Sequence, residues 1–468
     1  MTREEALALL ALPQEQAVEK LLVLAHKAAL WEHSLAQGSN QNTGDEPSPT
    51  QPSGMTAPYE KPAHRHRRKK PGRKKGHAGQ CRPRPDHIDK TDIHRLDRCP
   101  DCGRAMGKPC RQHTRTIEDI SPQRPRVHQH RVNGAWCGHC CKIVTPVVTD
   151  ALPRANLGLN VLVYSAWLHY LLGMSVGNIV RMLQVGYAFK VSPGGLTQAW
   201  ANLAAQLQPY YQQIEQQIRA AGVLHADETG WRINGLTHWL WAFCTQHLCY
   251  YLIDQRRSSA VVARVLGEIF DGILITDFYA AYNLVEAWAK QRCFFHLFTE
   301  LIKVDKHNPH PSWHQFRRRL SRLLKDAMRL NNQRSELDDG VFERRKRRLH
   351  QRLDQLIADS YEDADAQRLR KRLQNFRGEL LTFLDHEGVP PTNNFAEQQM
   401  RKPVVARKVC QQNRSERAAK AHAILLSLFR TAELQGHQPV DYVIALTKAS
   451  IAGNPLRLIS EPAMKDAA

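Results

Sequence analysis

Val223-Leu-His-Ala-Asp227 opens the stretch that decides the fold, and Ile273-Leu-Ile-Thr-Asp277 closes it. Within residues 223–277 lie short runs rich in β-branched and aromatic residues, which read VLHAD, HWLWAFCT, LCYYLID and GILITD. Such runs, separated by turns, predict strands, and SAVVARVLGEIF between the third and the fourth predicts a helix. The sequence therefore predicts a sheet with a connecting helix in this part of the chain.

Two acids stand at the ends of predicted strands, Asp227 and Asp277. An acid directly after a buried strand lies at the sheet edge where open α/β sheets bind ligands, and two such acids on adjacent strands can share a divalent cation. Carboxylate oxygens suit Mg²⁺ or Mn²⁺, and paired metals about 3.5–4 Å apart support phosphoryl transfer. Single acids in these positions are also common N-caps, so the spacing alone leaves both interpretations open.

A third acid, Glu397, stands in Pro391-Thr-Asn-Asn-Phe-Ala-Glu397 at the predicted start of a helix. The basic residues that follow it are predicted to contact DNA phosphates, and they are Arg401, Lys402, Arg407 and Lys408. A carboxylate beside such a row fits a metal ligand flanked by phosphate contacts. The alternative is a first-turn acid that interacts favourably with the helix dipole.

The chain of 468 residues carries a formal net charge of +21, and 42% of its residues are hydrophobic. This hydrophobic content excludes a wholly disordered chain, and the length favours about three domains. The positive charge favours a polyanionic partner, most often nucleic acid, with a merely solubilising surface as the alternative. No signal-peptide pattern opens the sequence, and its most apolar run, residues 157–174, is short for a bilayer. We therefore expect a cytoplasmic protein that contacts no membrane.

Changes of composition and periodicity divide the chain into segments and predict a multidomain protein of mixed α+β and α/β type. The predicted segments are an amphipathic N-terminal helix at 1–33, a flexible linker at 34–60, a basic DNA-contacting segment at 61–94, a zinc-binding domain at 95–150, a helical, helix-turn-helix-like region at 151–222, the first part of the core at 223–311, a helical segment at 312–384, the second part of the core at 385–450 and a tail at 451–468. For 151–222, two ordinary packed helices are an equally good interpretation, because helix pairs are common.

The stretch from Lys61 to Lys75 contains nine Lys or Arg residues and no acid. A run of this kind usually contacts phosphates without reading the base sequence. We predict DNA contacts for these residues of the run: Arg67, Arg68, Lys69, Lys70, Arg73, Lys74 and Lys75. The alternative is a solvated tail.

Two CxxC pairs flank a compact segment, in Cys99-Pro-Asp-Cys102 and Cys137-Gly-His-Cys140. Two such turns can complete a tetrahedron of thiolates around Zn²⁺. In a reducing compartment, paired cysteines favour a metal over disulfides. We therefore predict a zinc-ribbon-like module whose ligands are Cys99, Cys102, Cys137 and Cys140, with chance pairing or a redox pair as alternatives. Nearby residues that could substitute for a ligand are Cys110, His113, His139 and Cys141.

Several blocks, in this order, resemble the catalytic blocks of insertion-sequence-66 (IS-66) family transposases: HADETGWRINGLTHWLWAF, GILITDFYAAYN, QRCFFHLFTEL, TNNFAEQQMRKPVVARK and NRSERAA. The resemblance continues upstream through PGRKKGHAGQ and the two CxxC pairs, so it covers about residues 61–450. It implies a retroviral-integrase-like RNase H core with a D-D-E triad, which by motif is Asp227, Asp277 and Glu397. The helical segment 312–384 resembles the insertion found in such cores.

Cys293 and His296 match the C-x-x-H block of the family, where their role is structural or catalytic. We expect them to pack at a strand-to-helix junction and do not count them as metal ligands. The chain departs from the family's pattern at Gln398, where Arg is usual, and after Lys408, where Val409 replaces a common Asn.

The resemblance implies a DNA transposase of a bacterial insertion sequence, which cuts at the ends of its element with Mg²⁺ or Mn²⁺ and joins the exposed 3′-hydroxyl to target DNA. The implied partners are double-stranded DNA from terminal repeats and target, further copies of the chain in a homo-oligomer on DNA, and accessory proteins of the same element. The implied location is the nucleoid in the cytoplasm. Two alternatives stay open: a zinc-ribbon DNA-binding regulator with an inactive core, and a metal-dependent nuclease that cuts without joining.

Overall fold

The computed structural model of the chain describes residues 87–94, 97–98, 100–106, 114, 116–117, 124–410, 412–454 and 456. The chain divides into two compact units, Met1–Glu118 and Asp119–Ala468. The predicted N-terminal helix, the linker, the basic run from Lys61 to Lys75 and the ligand Cys99 lie outside the described residues. In the described ranges, no helix has the length and apolar character that a membrane crossing requires.

In the first unit, the described residues around the first CxxC pair form a tight turn. Arg98 and Ala105 face each other in an antiparallel bridge, and the Met106 N–H donates to the Asp97 carbonyl at 2.9 Å. Gly103 closes the turn at φ +71°, a conformation that favours glycine. Cys102 lies in this turn and is exposed.

The second unit contains a two-stranded hairpin and a five-stranded sheet. The described strands are β1 Ala135–Cys137, β2 Lys142–Val144, β3 Val223–Ile233, β4 Leu236–Cys244, β5 Cys249–Asp254, β6 Ile269–Thr276 and β7 Glu286–Arg292. The larger sheet has the order β5-β4-β3-β6-β7. Its first three strands are antiparallel, whereas β3, β6 and β7 are parallel. This mixed sheet, with helices around it, is compatible with a DDE-type core.

The helices of the second unit precede, connect and follow these strands. Their bounds are α1 Leu159–Tyr170, α2 Val176–Tyr187, α3 Pro193–Arg219, α4 Ser259–Leu266, α5 Phe294–Asp305, α6 Pro311–Asn332, α7 Asp339–Ala358, α8 Ala364–Asn375, α9 Thr382–Asp385, α10 Asn394–Cys410, α11 Glu416–Leu434 and α12 Pro439–Ile451. Helix α3 begins where the sequence predicts, because the hydroxyl of Ser192 accepts the Gly195 N–H at 3.0 Å. In the turn between α2 and α3, Ala188 adopts the left-handed backbone conformation, with a φ of 52°.

Apolar side chains cover both faces of the sheet. Along β6, Leu274 belongs to one core, whereas Ile273 and Ile275 belong to another, as the alternation of a strand requires. Helix α11 packs between β5 and α3 and is apolar nearly all round, in the run AILLSLF. The second core joins β6 to α5, α6, α7, α8 and α9, so the helical segment that follows the sheet is packed onto it.

The structure confirms the predicted strands within 223–277 but corrects their boundaries. β3 continues to Ile233, so Asp227 lies inside this strand, paired with Ala242 of β4, and not at its end as the sequence predicted. The predicted helix at 259–270 ends at Leu266, because Gly267 takes a φ of +86° and Ile269 begins β6. The sequence missed β7, whose residues EAWAKQR are largely polar. This strand forms by parallel pairing with β6, a long-range contact that leaves little local pattern.

Candidate active site

The structure brings Asp227, Asp277 and Glu397 together where the parallel pairing of β3 with β6 ends. β3 and β6 are parallel neighbours whose last paired residues are His225 and Ile275, so each Asp lies two residues beyond the same pair. Glu397 comes from the first turn of α10, which packs against β3. The register of two strands and the start of one helix therefore place the three carboxyl groups near one another.

These acids repel each other. Burial raises the pKa of Asp227 well above its ordinary value, and the negative charges of Glu228, Asp277 and Glu397 add to the effect. Among the described residues, one hydrogen bond reaches the Asp227 carboxylate, from the Glu228 N–H at 2.9 Å. Oε1 of Glu397 is buried and has no hydrogen-bond partner in the same ranges. In the described part of the chain, no Lys or Arg pairs with any of the three predicted acids, so the donor set fits a divalent cation.

Glu228, the acid next to Asp227, is held by hydrogen bonds to its own partners. Its carboxylate accepts hydrogen bonds from Arg257, at 2.8 Å, and from the hydroxyl of Tyr282. The guanidinium of Arg257 also lies over the rings of Trp239 and Tyr279, at 4.3 and 4.1 Å from their centroids. Glu228 is thus engaged in a closed network, which leaves Asp227 as the acid available to a cation.

A buried arginine, Arg292, holds the loop that carries Asp277. Its Nη1 donates to the carbonyl of Asp277 at 2.8 Å and to the hydroxyl of Thr276 at 3.2 Å. Its other nitrogens bond to Glu379 and to Asn283, so the fully buried charge is paired and its donors are engaged. Arg292 therefore fixes the backbone at Asp277 without occupying its carboxylate.

Asn393 fixes the start of α10 against β3. Its side chain is 1% exposed, donates to the carbonyl of Ala226 at 2.8 Å and lies 3.0 Å from Nδ1 of His225. Its carbonyl accepts the N–H of Glu397 at 3.2 Å, and its own N–H donates to the sulfur of Cys293 at 3.1 Å. One residue thus ties together β3, α10 and the start of α5.

The C-x-x-H pair lies beside the third acid. Ligand atoms of Cys293, His296 and Glu397 all lie within 4.8 Å of one another. Nδ1 of His296 is 3.9 Å from Oε1 of Glu397, and both atoms are buried with no hydrogen-bond partner among the residues that the structure describes. Packing alone, which the sequence predicts for Cys293 and His296, does not explain these two unpaired atoms.

The basic residues after Glu397 divide into two kinds. Arg401 and Lys408 are exposed and have no ion pair in the described ranges. Lys402 pairs with Glu433 at 2.5 Å, whereas Arg407 donates to the hydroxyl of Thr229 at 3.1 Å and to the backbone of β3. Two of the four side chains are therefore free for phosphates, and two hold α10 in place.

The second CxxC pair lies in the β1–β2 hairpin. The Cys140 N–H faces the sulfur of Cys137 at 3.5 Å. Hydrogen bonds from Cys140 and from the His139 N–H lower the pKa of Cys137, which favours its thiolate. The other pair belongs to the first unit, and Cys99 lies outside the described residues, so the ligand set stays a prediction.

Sequence reasoning identified the acids but missed Arg292 and Asn393. Both stand inside the recognised blocks, directly before Cys293 and one turn before Glu397. An Asn before a helix was an available signal, since Asn often caps helices. Arg292 gave no such signal, because it follows Lys290 and Gln291 in a largely polar stretch.

A family model described as "Transposase IS66 family" matches residues 154–421, which is more than half of the chain and includes all three acids. No curated protein matches the chain.

Proposed function

The chain belongs to the IS66 family of transposases, and we propose from this premise that it cuts DNA at the ends of its element and joins the 3′-hydroxyl to target DNA by a DDE mechanism. The observation that carries the proposal is the convergence of Asp227, Asp277 and Glu397 with no Lys or Arg partner among the described residues. Buried carboxylates that repel one another are costly unless a cation neutralises them.

We propose that Asp227, Asp277 and Glu397 hold Mg²⁺ or Mn²⁺. When bound, the metal would supply charge neutralisation and activation of the attacking oxygen. The protein's own residues supply position: Arg292 fixes the backbone at Asp277, and Asn393 fixes the turn that carries Glu397. Such positioning matters because a displacement of a reacting group by about 1 Å can lower the reaction rate by about 10²-fold.

DNA is the partner that the charge supports best. Besides Arg401, Lys408 and the predicted segment 61–94, a groove of about 670 Å³ runs between α6 and α7. Its basic lining consists of Arg319, Arg322, Arg329, Arg345, Arg348 and Arg352. Asp326 pairs with two of these, but Arg322 and Arg348 have no ion pair among the described residues. Free guanidinium groups along a groove suit phosphates, which they can bind in a bidentate manner.

The remaining parts of the proposal rest on the sequence. A zinc ribbon held by Cys99, Cys102, Cys137 and Cys140 is supported by the amide that faces Cys137. The resemblance to the family supports four further parts of the proposal. These are binding of terminal repeats by the helices of 151–222, a homo-oligomer on DNA, accessory proteins of the same element and a place at the nucleoid.

The proposal is tested by a cleavage and strand-transfer assay with the element's own ends, in Mg²⁺ and in Ca²⁺. Asp227→Asn keeps the shape of the side chain but removes a negative ligand, so cleavage should fall by at least about 10²-fold with end binding retained. The matched control is Asp271→Asn, because Asp271 is an exposed acid on β6. Joining at a near-normal rate by Asp227→Asn would refute the assignment. Cleavage without joining by the unmodified protein would identify a nuclease, and end binding without cleavage would identify a regulator.

The same variant gives a readout that does not need DNA. Since burial and neighbouring charges raise the pKa of Asp227, its neutral replacement should stabilise the metal-free protein. We expect the melting temperature of Asp227→Asn in chelator to rise by a few degrees, as about 1 kcal/mol corresponds to about 2–4 °C in domains of moderate size. Added Mg²⁺ should stabilise the unmodified protein more than this variant.

A further inference from the structure

A buried cysteine sulfur lies at the start of α5. Cys293 caps this helix and is fully buried. Its sulfur accepts the Asn393 N–H at 3.1 Å. An amide that donates to a sulfur favours the thiolate, which is the form that binds a metal.

Two further ligand atoms face this sulfur. His296 lies one turn further along α5, and Glu397 reaches the same point from α10. The three candidate ligand atoms lie within 4.8 Å of one another, and in the described part of the chain those of His296 and Glu397 have no hydrogen-bond partner. The two side chains are 41% and 30% exposed, so solvent reaches the cluster although the facing atoms are hidden.

We propose that Cys293, His296 and Glu397 bind a soft divalent cation such as Zn²⁺, through Sγ, Nδ1 and a carboxylate oxygen. Thiolate and imidazole suit Zn²⁺ rather than Mg²⁺ or Ca²⁺, and three protein ligands leave a fourth position for water. Binding displaces the proton of the Cys293 thiol into solvent while a sulfur–metal bond forms, with no change of oxidation state. The site is separate in sequence from the predicted ligands at Cys99, Cys102, Cys137 and Cys140.

This site has a consequence that rests on the proposed function. Glu397 is shared between the cluster and the proposed catalytic triad. A Zn²⁺ held by Cys293 and His296 therefore withdraws this carboxylate from the catalytic cation. Zn²⁺ should inhibit Mg²⁺-dependent cleavage, and Cys293→Ser should relieve that inhibition.

The binding test uses Co²⁺, whose thiolate complexes absorb in the near ultraviolet, and the full-length protein with the zinc it retains on purification. Titration should give a saturable thiolate–cobalt band that is absent in Cys293→Ser. Affinity should fall at least about tenfold in His296→Gln, since even outer-shell partners of a metal are worth about 10–100-fold. The matched control is Cys410→Ser, because Cys410 also lies beside a histidine, 4.0 Å from Nδ1 of His169, but without a carboxylate in a ligand cluster.

The outcomes separate the site from the proposed catalysis. A band that persists in Cys293→Ser, or that Cys410→Ser abolishes equally, overturns the site. If Cys293→Ser does not fold, His296→Gln decides, and unchanged Co²⁺ affinity in it overturns the site as well. A specific band without any Mg²⁺-dependent cleavage leaves the site standing and refutes the proposed function. Cleavage that Zn²⁺ does not inhibit, despite a specific band, overturns the competition for Glu397.

Discussion

Replacement of Asn393 by Ala tests whether one buried amide holds the third acid in place. The change leaves the carbonyl of Ala226 and the ring nitrogen of His225 without their present partners, at 2.8 and 3.0 Å. Each buried polar group left unpaired costs about 1–3 kcal/mol. A water that enters the space recovers part of the loss. We therefore expect Asn393→Ala to lower the free energy of unfolding by about 2–4 kcal/mol.

The assay is urea unfolding followed by tryptophan fluorescence and circular dichroism, with the midpoint lowered and the slope unchanged. Where the variant is still fully folded, cleavage should fall by at least about tenfold, because the turn that carries Glu397 is no longer fixed against β3. The control is Asn394→Ala, since Asn394 is adjacent but exposed and should cost less than about 0.5 kcal/mol. Equal losses in the two variants would refute the reasoning.

Further predictions concern acid stability, zinc and DNA. Burial lowers the pKa of His422 to about 3, so below about pH 6.5 the unfolded chain binds a proton that the folded chain does not. As the pH is lowered below this value, the free energy of unfolding should thus decrease by up to about 1.4 kcal/mol per pH unit. His422→Phe should make this dependence weaker in urea titrations at several pH values. Metal analysis should show that Cys102→Ser loses about one zinc and that Cys410→Ser loses none. Replacing the basic residues Arg67, Arg68, Lys69 and Lys70 with Gln should lower the slope of log affinity against log salt by about 2–4 on specific and random duplex, and an unchanged slope would indicate a solvated tail.

The strands and acids of the core were predictable because their signals are local. VLHAD and GILITD are apolar runs that each end in an acid, and the pairing of His225 with Ile275 then brings the two ends together. The position of Glu397 near the start of a helix was predictable for the same reason. Its proximity to the other two acids followed only from the family's resemblance, since more than a hundred residues separate it from Asp277.

The supporting contacts were not predictable, because each joins residues that are distant in sequence. Asn393 meets Ala226 across 167 positions and Cys293 across 100. The polar strand β7 forms only because β6 offers it a parallel partner. The cluster of Cys293, His296 and Glu397 combines a local i, i+3 pair with a residue from another helix, so the pair alone predicted no more than packing.

Charge and burial oppose each other in this site, and the distribution of partners shows how the fold tolerates the conflict. Glu228 and Arg292 are buried and fully partnered, so neither charge is left free. Among the described residues, half-buried Asp227 accepts a single hydrogen bond at its carboxylate, and one oxygen of Glu397 accepts none. A fold selected only for stability would pair these acids as it pairs Glu228. The selective absence of partners at Asp227 and Glu397 is therefore the physical feature that separates the proposed metal ligands from the structural acids beside them.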